Sequence, residues 1–164
     1  MPVSAPHPLS ERDDCSAFDC GEPSLNDWLR RKALVNQISG ASRTFVMTGT
    51  GAAASQVRGY YALAAGAASH AESPGAIRRN MPDPIPVMVL GRLAIDCSCH
   101  GQGLGSALLQ DAILRTMNVA ENVGIRGLLV HALHNKAREF YLHHGFSESP
   151  ISATTLLLRL PAPR

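Results

Sequence analysis

Residues Ile85–Ile95, IPVMVLGRLAI, are aliphatic or β-branched at almost every position, interrupted by one proline, one glycine and one arginine. A strand that alternates apolar and polar residues keeps one face in water, whereas a strand without alternation is covered on both. This run therefore belongs at the centre of a layered domain. A short polar loop and the turn Gly-Gln-Gly-Leu-Gly at 101–105 follow it. Leu109, Ile113, Met117 and Ala120 then recur at three- and four-residue spacing, the apolar stripe of a helix. Buried strand, glycine turn and long helix, in that order, constrain the fold more than any other stretch.

The remaining pattern fits around that unit. A helix is predicted over residues 24–40, opened by Ser24 with Asp27 three residues on as an approximate capping box, with Leu25, Trp28, Leu29, Ala33 and Ile38 as its apolar face. Arg43–Thr48 and residues 56–67 read as an antiparallel hairpin. Gly91 is expected to form a bulge that splays the sheet, and Gly124 to cap the long helix. Residues 127–133 make a further buried strand. Asn135 is expected to cap a short helix carrying Ala137, Phe140 and Tyr141 on one side and ended by Gly145; residues 154–160 form the last strand. The fold class is α/β, in mixed α+β layers.

A chain of 164 residues is about one domain long, and folding at this size buries roughly 70% of the unfolded surface. With 45% hydrophobic and 17% charged residues, a disordered chain is excluded. We expect an N-terminal segment over 1–16, one domain over 17–160 and a tail at 161–164. The first ten residues hold three prolines and no apolar leader core, and the longest apolar runs are broken within a strand's length, so a cytoplasmic protein without membrane spans is expected. The four cysteines then read as reduced thiols, and Cys15/Cys20 and Cys97/Cys99 lack the spacing of a zinc ribbon, so no metal site is expected. His143 and His144 close a helix, where imidazolium suits the negative end of the dipole.

Without side chains at Gly101, Gly103 and Gly105 the main chain can approach a ligand closely, and the amides opening the next helix lack intrahelical acceptors. That combination suits a pyrophosphate. A Walker loop would need Lys and Ser/Thr after its last glycine, where Ser106 and Ala107 stand, and a Rossmann fingerprint would need glycine at position 106. Glycine turns before helices also arise from packing alone, and on spacing both readings stay open.

The form of the turn, His100-Gly101-Gln102-Gly103-Leu104-Gly105, resembles the acetyl-CoA loop Q/R-x-x-G-x-G/A of the GNAT acetyltransferases. Asn135-Lys-Ala137-Arg-Glu-Phe-Tyr141-Leu-His-His-Gly145-Phe146 resembles that family's N-x-x-A-x-x-F-Y-x-x-x-G-F segment, in the right order. The stretches Phe18 to Leu29, Gly59 to Leu63, Arg78 to Pro86 and Val89 to Asp96 are similar to the GNAT toxins of toxin–antitoxin modules, the TacT, KacT and AtaT group. The likeness runs from about Phe18 to Leu160.

The resemblance implies a GNAT fold, a central mixed and mostly antiparallel sheet with a splayed strand pair, flanked by helices. It implies acetyl-CoA as cofactor and transfer of the acetyl group to the α-amine of aminoacyl-tRNA, which blocks translation. It further implies a homodimer and a ribbon-helix-helix-type antitoxin as partner. Carried over residue by residue, the cofactor contacts are the main chain of Leu93, Ala94 and Ile95, the turn His100, Gly101, Gln102, Gly103, Leu104, Gly105 and Ser106, and Asn135 and Ala137. His100 departs from the family's Gln or Arg, which leaves that contact weaker or pH-dependent.

Tyr141 is implied as proton donor to the departing thiolate. An attacking α-amine with a reference pKa of about 8 needs no strong base, and a phenol near 10 can protonate a thiolate near 8.5. Cys97 and Cys99 lack the base-and-orienter pattern of a nucleophile.

Charge supports a nucleic-acid substrate. Between Arg30 and Arg92 lie eight basic residues against two acidic ones, a local net of +6 within a chain of net +2. Clustered cations bind polyanions through counterion release, so Arg30, Arg31, Lys32, Arg78, Arg79 and Arg92 are expected as tRNA contacts, the alternative being a solvated basic face. Arg92, inside an apolar strand, needs either a substrate anion or an ion pair with a residue such as Asp96. A GNAT enzyme for a small amine or a protein N-terminus, and a non-catalytic CoA- or RNA-binding module, are the alternatives.

Overall fold

The computed structural model describes residues 2–161; Met1 and all but the first residue of the expected 161–164 tail lie outside the described residues. The elements are, in chain order, β1 (His7–Pro8), α1 (Pro23–Trp28), a π-helical turn (Leu29–Ala33) running into α2 (Leu34–Ser39), β2 (Arg43–Thr48), β3 (Val57–Ala68), α3 (Gly75–Arg78), β4 (Ile85–Ile95), α4 (Leu104–Ala120), β5 (Gly127–His131), α5 (Asn135–His143), β6 (Ser147–Ser149) and β7 (Ser152–Arg159). The strands form one seven-stranded sheet in the order β1-β2-β3-β4-β5-β7-β6. Pairing is antiparallel for β1 with β2, β2 with β3, β5 with β7 and β6 with β7, and parallel for β4 with β5. The expected α/β layers and mixed sheet are thus present.

The chain divides into two compact units, Met1–Ala64 with Arg92–Ala112, and Ala65–Gly91 with Ile113–Arg164. In the first, Leu9, Phe18, Leu29, Ala33, Val46, Val57, Tyr60 and Ala94 form a buried cluster. Gly59 lets α4 approach the sheet, since a Cβ there would stand 2.8 Å from Ile95 Cδ1 and 3.2 Å from Leu108 Cδ1. In the second, Ala68, Ile77, Ile85, Val87, Leu129 and Leu157 form the core. Val87 on β4 and Leu129 on β5 are both buried in this core, and the two strands form one parallel ladder that starts at Val87↔Gly127. The pairing runs to Leu90↔Val130, one residue before β5 ends at His131, while β4 continues to Ile95.

Several sequence expectations are corrected. The first helix starts at Pro23, whose missing N–H costs nothing at a helix start, and Glu22 precedes it without a side-chain cap. Ser24 and Asp27 therefore lie inside the helix, and Asp27 instead faces Arg30 at 3.7 Å. The π turn shifts the helical phase, so Leu29 and Ala33 are buried but Ile38 is 74% exposed. The helix does end at Gly40, in the left-handed region at φ 85°. Gly124 is not the cap of α4: the helix ends at Ala120, and the Val119 carbonyl accepts the amides of Asn122 and Val123. His134, not Asn135, caps α5, its Nδ1 accepting the Ala137 amide at 3.1 Å. Asn135 stands one residue later and donates to Glu139 at 3.2 Å.

The N-terminal segment adds β1 at the sheet edge, where Pro8 removes no ladder donor from a central strand. Gly127 marks a close approach of main chain to main chain in the second unit, because a Cβ there would lie 2.5 Å from the Leu158 carbonyl oxygen. Main chain cannot yield as a side-chain end does. Gly127→Ala should lower stability by about 1–3 kcal/mol, seen as a reduced urea midpoint at unchanged m-value.

Candidate active site

In the first unit, the end of β4 is fixed by Asp96. Its side chain is 5% exposed and accepts hydrogen bonds from the Asp19 amide at 2.9 Å, the Ser98 amide at 3.0 Å and the Ser98 hydroxyl at 2.6 Å. Arg58 stands 3.8 Å away. Burial alone would raise the carboxyl's pKa, but the bonds from Ser98 and Asp19, with the Arg58 charge, hold it below its ordinary value of 3.8. The Asp96 amide in turn donates to the Arg58 carbonyl at 2.8 Å. A short 3-10 turn over Cys97–Cys99 then leads to His100.

His100 donates from Nε2 to the Ile95 carbonyl at 2.7 Å, since a carbonyl can only accept. The residue in place of the family's Gln or Arg thus braces the end of β4. Gly101 and Gly103 follow at φ 77° and 73°, and among the described residues no atom beyond the adjoining ones in the chain lies within 4 Å of where a Cβ would stand on either. Their glycines are required by backbone conformation and not by contact with the chain itself. The space over them is open to a ligand, and a side chain would fill it. α4 begins at Leu104 and runs 17 residues, long enough for its opening amides to present a sizeable positive end. Its first turn is anchored below by Leu108 and Leu109, both buried, and further along the Tyr61 hydroxyl donates to the Asp111 carboxylate.

Arg92, also in this unit, lies with its guanidinium 4.3 Å from the centre of the Trp28 ring. Trp28 stacks on Tyr60 at 6.0 Å and 10°, and Phe18 meets Tyr60 edge-on at 5.5 Å. Tyr60 is fixed by donation to the Leu25 carbonyl at 2.8 Å. Desolvation is the main influence on Arg92 and lowers its pKa. Asp96 is engaged by Arg58, so the alternative of an Arg92–Asp96 ion pair is not realised. Among the described residues Arg92 has no carboxylate or hydrogen-bond acceptor. The aromatic stack supports a cation whose donors remain available.

Arg30, Arg31 and Lys32 all fall on the π turn and are exposed. Arg30 also donates to the Phe18 carbonyl at 2.6 Å. In the second unit Arg78 and Arg79 are exposed at the end of α3. The turn is pinned by Arg126, which donates to the carbonyls of Ile77 at 3.0 Å, Ala76 at 3.1 Å and Arg79 at 3.3 Å. Arg126 was not singled out by sequence, because a lone arginine between two apolar stretches carries no signal of what it will brace.

Tyr141 sits in the second unit on α5, 7% exposed, between Phe140 at 5.2 Å and Phe146 at 5.3 Å. Burial pushes its phenol well above the ordinary value of 10.0, and its hydroxyl has no hydrogen-bond partner among the described residues. The phenol is therefore neutral at any physiological pH. Gly145 at φ 92° turns the chain so that the Phe146 amide donates to the Tyr141 carbonyl at 3.1 Å, which fixes Phe146 against the ring. Among the described residues no group of three or more His, Cys, Asp or Glu is placed to hold a metal ion.

Comparison with known proteins identifies the family. Residues 42–148 match the acetyltransferase (GNAT) domain family. The chain is 51% identical, over 94% of its length and 91% of the relative's, to the tRNA-acetylating toxin of Mycobacterium tuberculosis. Among solved structures it is similar to a KacT mutant, with a TM-score of 0.90 and 27% identity over 98% of this chain and 96% of that one. It is also similar to AtaT complexed with acetyl-methionyl-tRNAfMet, with a TM-score of 0.88 and 31% identity over 96% and 95%. An AtaT mutant bound to the C-terminus of the antitoxin AtaR and acetyl-CoA gives a TM-score of 0.81 at 30% identity over 96% and 93%. The chain belongs to the GNAT family and is an N-acetyltransferase.

The Asp96 network carries a stability test. Asp96→Ala leaves the Asp19 and Ser98 donors unmet and should cost about 1–3 kcal/mol at pH 7. Because the folded pKa is depressed, the carboxylate's contribution is present above the unfolded value near 4 and is lost as pH falls through the folded value. Denaturant titrations of wild type and variant should therefore begin to converge as pH falls below about 4 and go on converging until it has passed the folded value.

Proposed function

We propose that this enzyme transfers the acetyl group of acetyl-CoA to the α-amine of an aminoacyl-tRNA and acts as a toxin that blocks translation. The observation that carries the reading is the open cradle at Gly101 and Gly103, placed where β4 ends and α4 begins. The likeness to a relative named for tRNA acetylation supports the substrate class.

Main-chain amides of Gly101, Gln102, Gly103, Leu104 and Gly105, with Ser106 and His100 beside them, would hold the diphosphate of acetyl-CoA. Main-chain groups of Leu93, Ala94 and Ile95, which lie beyond the β4–β5 ladder, would take the pantetheine arm as an added strand. Asn135 and Ala137 would complete the cofactor contacts, although the Ala137 amide already bonds His134. Bound in this way the cofactor supplies an acyl group activated as a thioester.

The substrate amine, with a pKa of about 8, would attack the thioester carbonyl in its neutral form. As the C–N bond forms and the C–S bond breaks, Tyr141 would give its proton to the departing sulfur and recover one from the acylated nitrogen. Burial keeps that proton on the phenol, so turnover should show no alkaline decline from Tyr141 below about pH 10. Arg30, Arg31, Lys32, Arg78, Arg79 and Arg92 would engage the tRNA phosphates. The partner would be a ribbon-helix-helix-type antitoxin and the working form a cytoplasmic homodimer; support for an antitoxin is the AtaT–AtaR complex.

Incubation with labelled acetyl-CoA should label charged tRNA and leave uncharged tRNA and free small amines untouched. Label confined to small amines would overturn the substrate. Tyr141→Phe should lower turnover about 10²–10⁴-fold with CoA affinity unchanged in calorimetry. Unchanged turnover would remove Tyr141 from the reaction. Arg92→Met should weaken tRNA binding and flatten its salt dependence by about one phosphate contact; equal slopes in the two proteins would exclude that contact.

A further inference from the structure

We propose that Cys20 and Cys97 are a peroxide-responsive pair whose disulfide fastens the segment leading into the glycine turn to the loop before α1. The proposal rests on chain geometry and is independent of the acceptor substrate.

The Cys97 amide donates to the Asp19 carbonyl at 2.8 Å, and the Asp19 amide donates to Asp96 Oδ1 at 2.9 Å. These two bonds lay residues 19–21 against residues 96–97. With standard bond lengths this hydrogen bond keeps the Cα atoms of Cys20 and Cys97 within about 7 Å of each other, a limit that overlaps the range of about 4.4–6.8 Å that a disulfide spans. A Cβ built on Gly21 would stand 3.7 Å from Cys97 Sγ, so that sulfur already lies against the chain next to Cys20. The Cys20 thiol is half-buried and faces the Glu22 carbonyl at 3.7 Å, while Cys97 is exposed. Both belong to the same compact unit.

The other thiols are placed differently. Cys99 is 1% exposed and faces Ser98 Oγ at 3.7 Å. Cys15 packs against the core, where burial first, and then Asp13 and Asp14, push its thiol up to about 11.

The chemistry needs a hydroperoxide as oxidant. The exposed Cys97 thiolate attacks one peroxide oxygen, the O–O bond breaks, and hydroxide leaves and takes a proton as water, giving a sulfenic acid. Cys20, half-buried one residue from the Asp19–Cys97 hydrogen bond, takes the second step. Its sulfur attacks the Cys97 sulfur, the S–O bond breaks, and the released hydroxide takes the Cys20 proton as a second water. Two thiols and one hydrogen peroxide thus become one disulfide and two waters. The new bond spans the Asp19–Cys97 contact and closes a long loop, which constrains the unfolded chain. It also fixes the approach to the turn that carries Gly101 and Gly103.

The test uses the full-length reduced protein exposed to hydrogen peroxide, with remaining thiols then blocked by N-ethylmaleimide. Peptide mass spectrometry should find a Cys20–Cys97 linked peptide, and Tm should rise by several degrees over the reduced protein. Cys20→Ser and Cys97→Ser should each lose both the linkage and the rise, whereas Cys15→Ser and Cys99→Ser should keep them. Linkage to Cys15 or Cys99, a disulfide between chains, or stepwise addition of oxygen to Cys97 without linkage would overturn the pairing. A linked peptide with no rise in Tm would overturn its fastening role.

Discussion

The carboxylate of Asp96 holds three parts of the first unit together. It accepts the Asp19 amide from the N-terminal loop and two bonds from Ser98 in the turn, and it faces Arg58 on β3. A buried carboxylate without such donors would lose its hydration for nothing, so the network decides where β4 stops. From that fixed point the chain has only the Cys97–Cys99 turn before Gly101, and His100 reaches back to Ile95 to set the spacing. The position of the glycine turn is therefore inherited from Asp96 and His100, while the glycines themselves supply the conformation and the room.

Two further groups have charge states that bear on the proposed transfer. Tyr141 is neutral because it is buried between two aromatic rings, and a neutral phenol is what a departing thiolate requires. Arg92 is a cation supported on an aromatic stack without a protein anion, and such a group gains most from a phosphate that arrives with the substrate. The basic residues of the π turn extend the same sign of charge, because Leu29 and Ala33 anchor the widened turn in the core and leave Arg30, Arg31 and Lys32 outside.

Much of this was legible in the sequence where local rules govern. The apolar run of β4, the glycine turn and the helix after it appear at the expected residues, as does the left-handed end of the first helix at Gly40. The buried face of α4, however, is Leu108, Leu109, Ala112 and Thr116, so of the expected stripe only Leu109 is fully buried, and Ile113, Met117 and Ala120 stand at its half-buried edge. Elements that depend on distant partners were not legible. β1 is two residues long and contains a proline, so only its pairing with β2 identifies it. The π turn leaves no periodic mark beyond the displacement of Ile38. His134 was passed over for Asn135 because both can cap, and only the backbone geometry separates them. Arg92 was found as an anomaly in an apolar strand, but its support, Trp28, lies 64 positions earlier in the chain. The Asp96 network is likewise invisible without the fold.

Calorimetric titration of the protein with coenzyme A tests the central claim most directly, beside a Gly103→Val variant in which a branched side chain occupies the space over the turn. The account predicts saturable uptake of one coenzyme A per chain by the wild type and a large loss of affinity in the variant with the fold retained by circular dichroism. Absence of uptake by the wild type, or equal affinity in the two proteins, would contradict it.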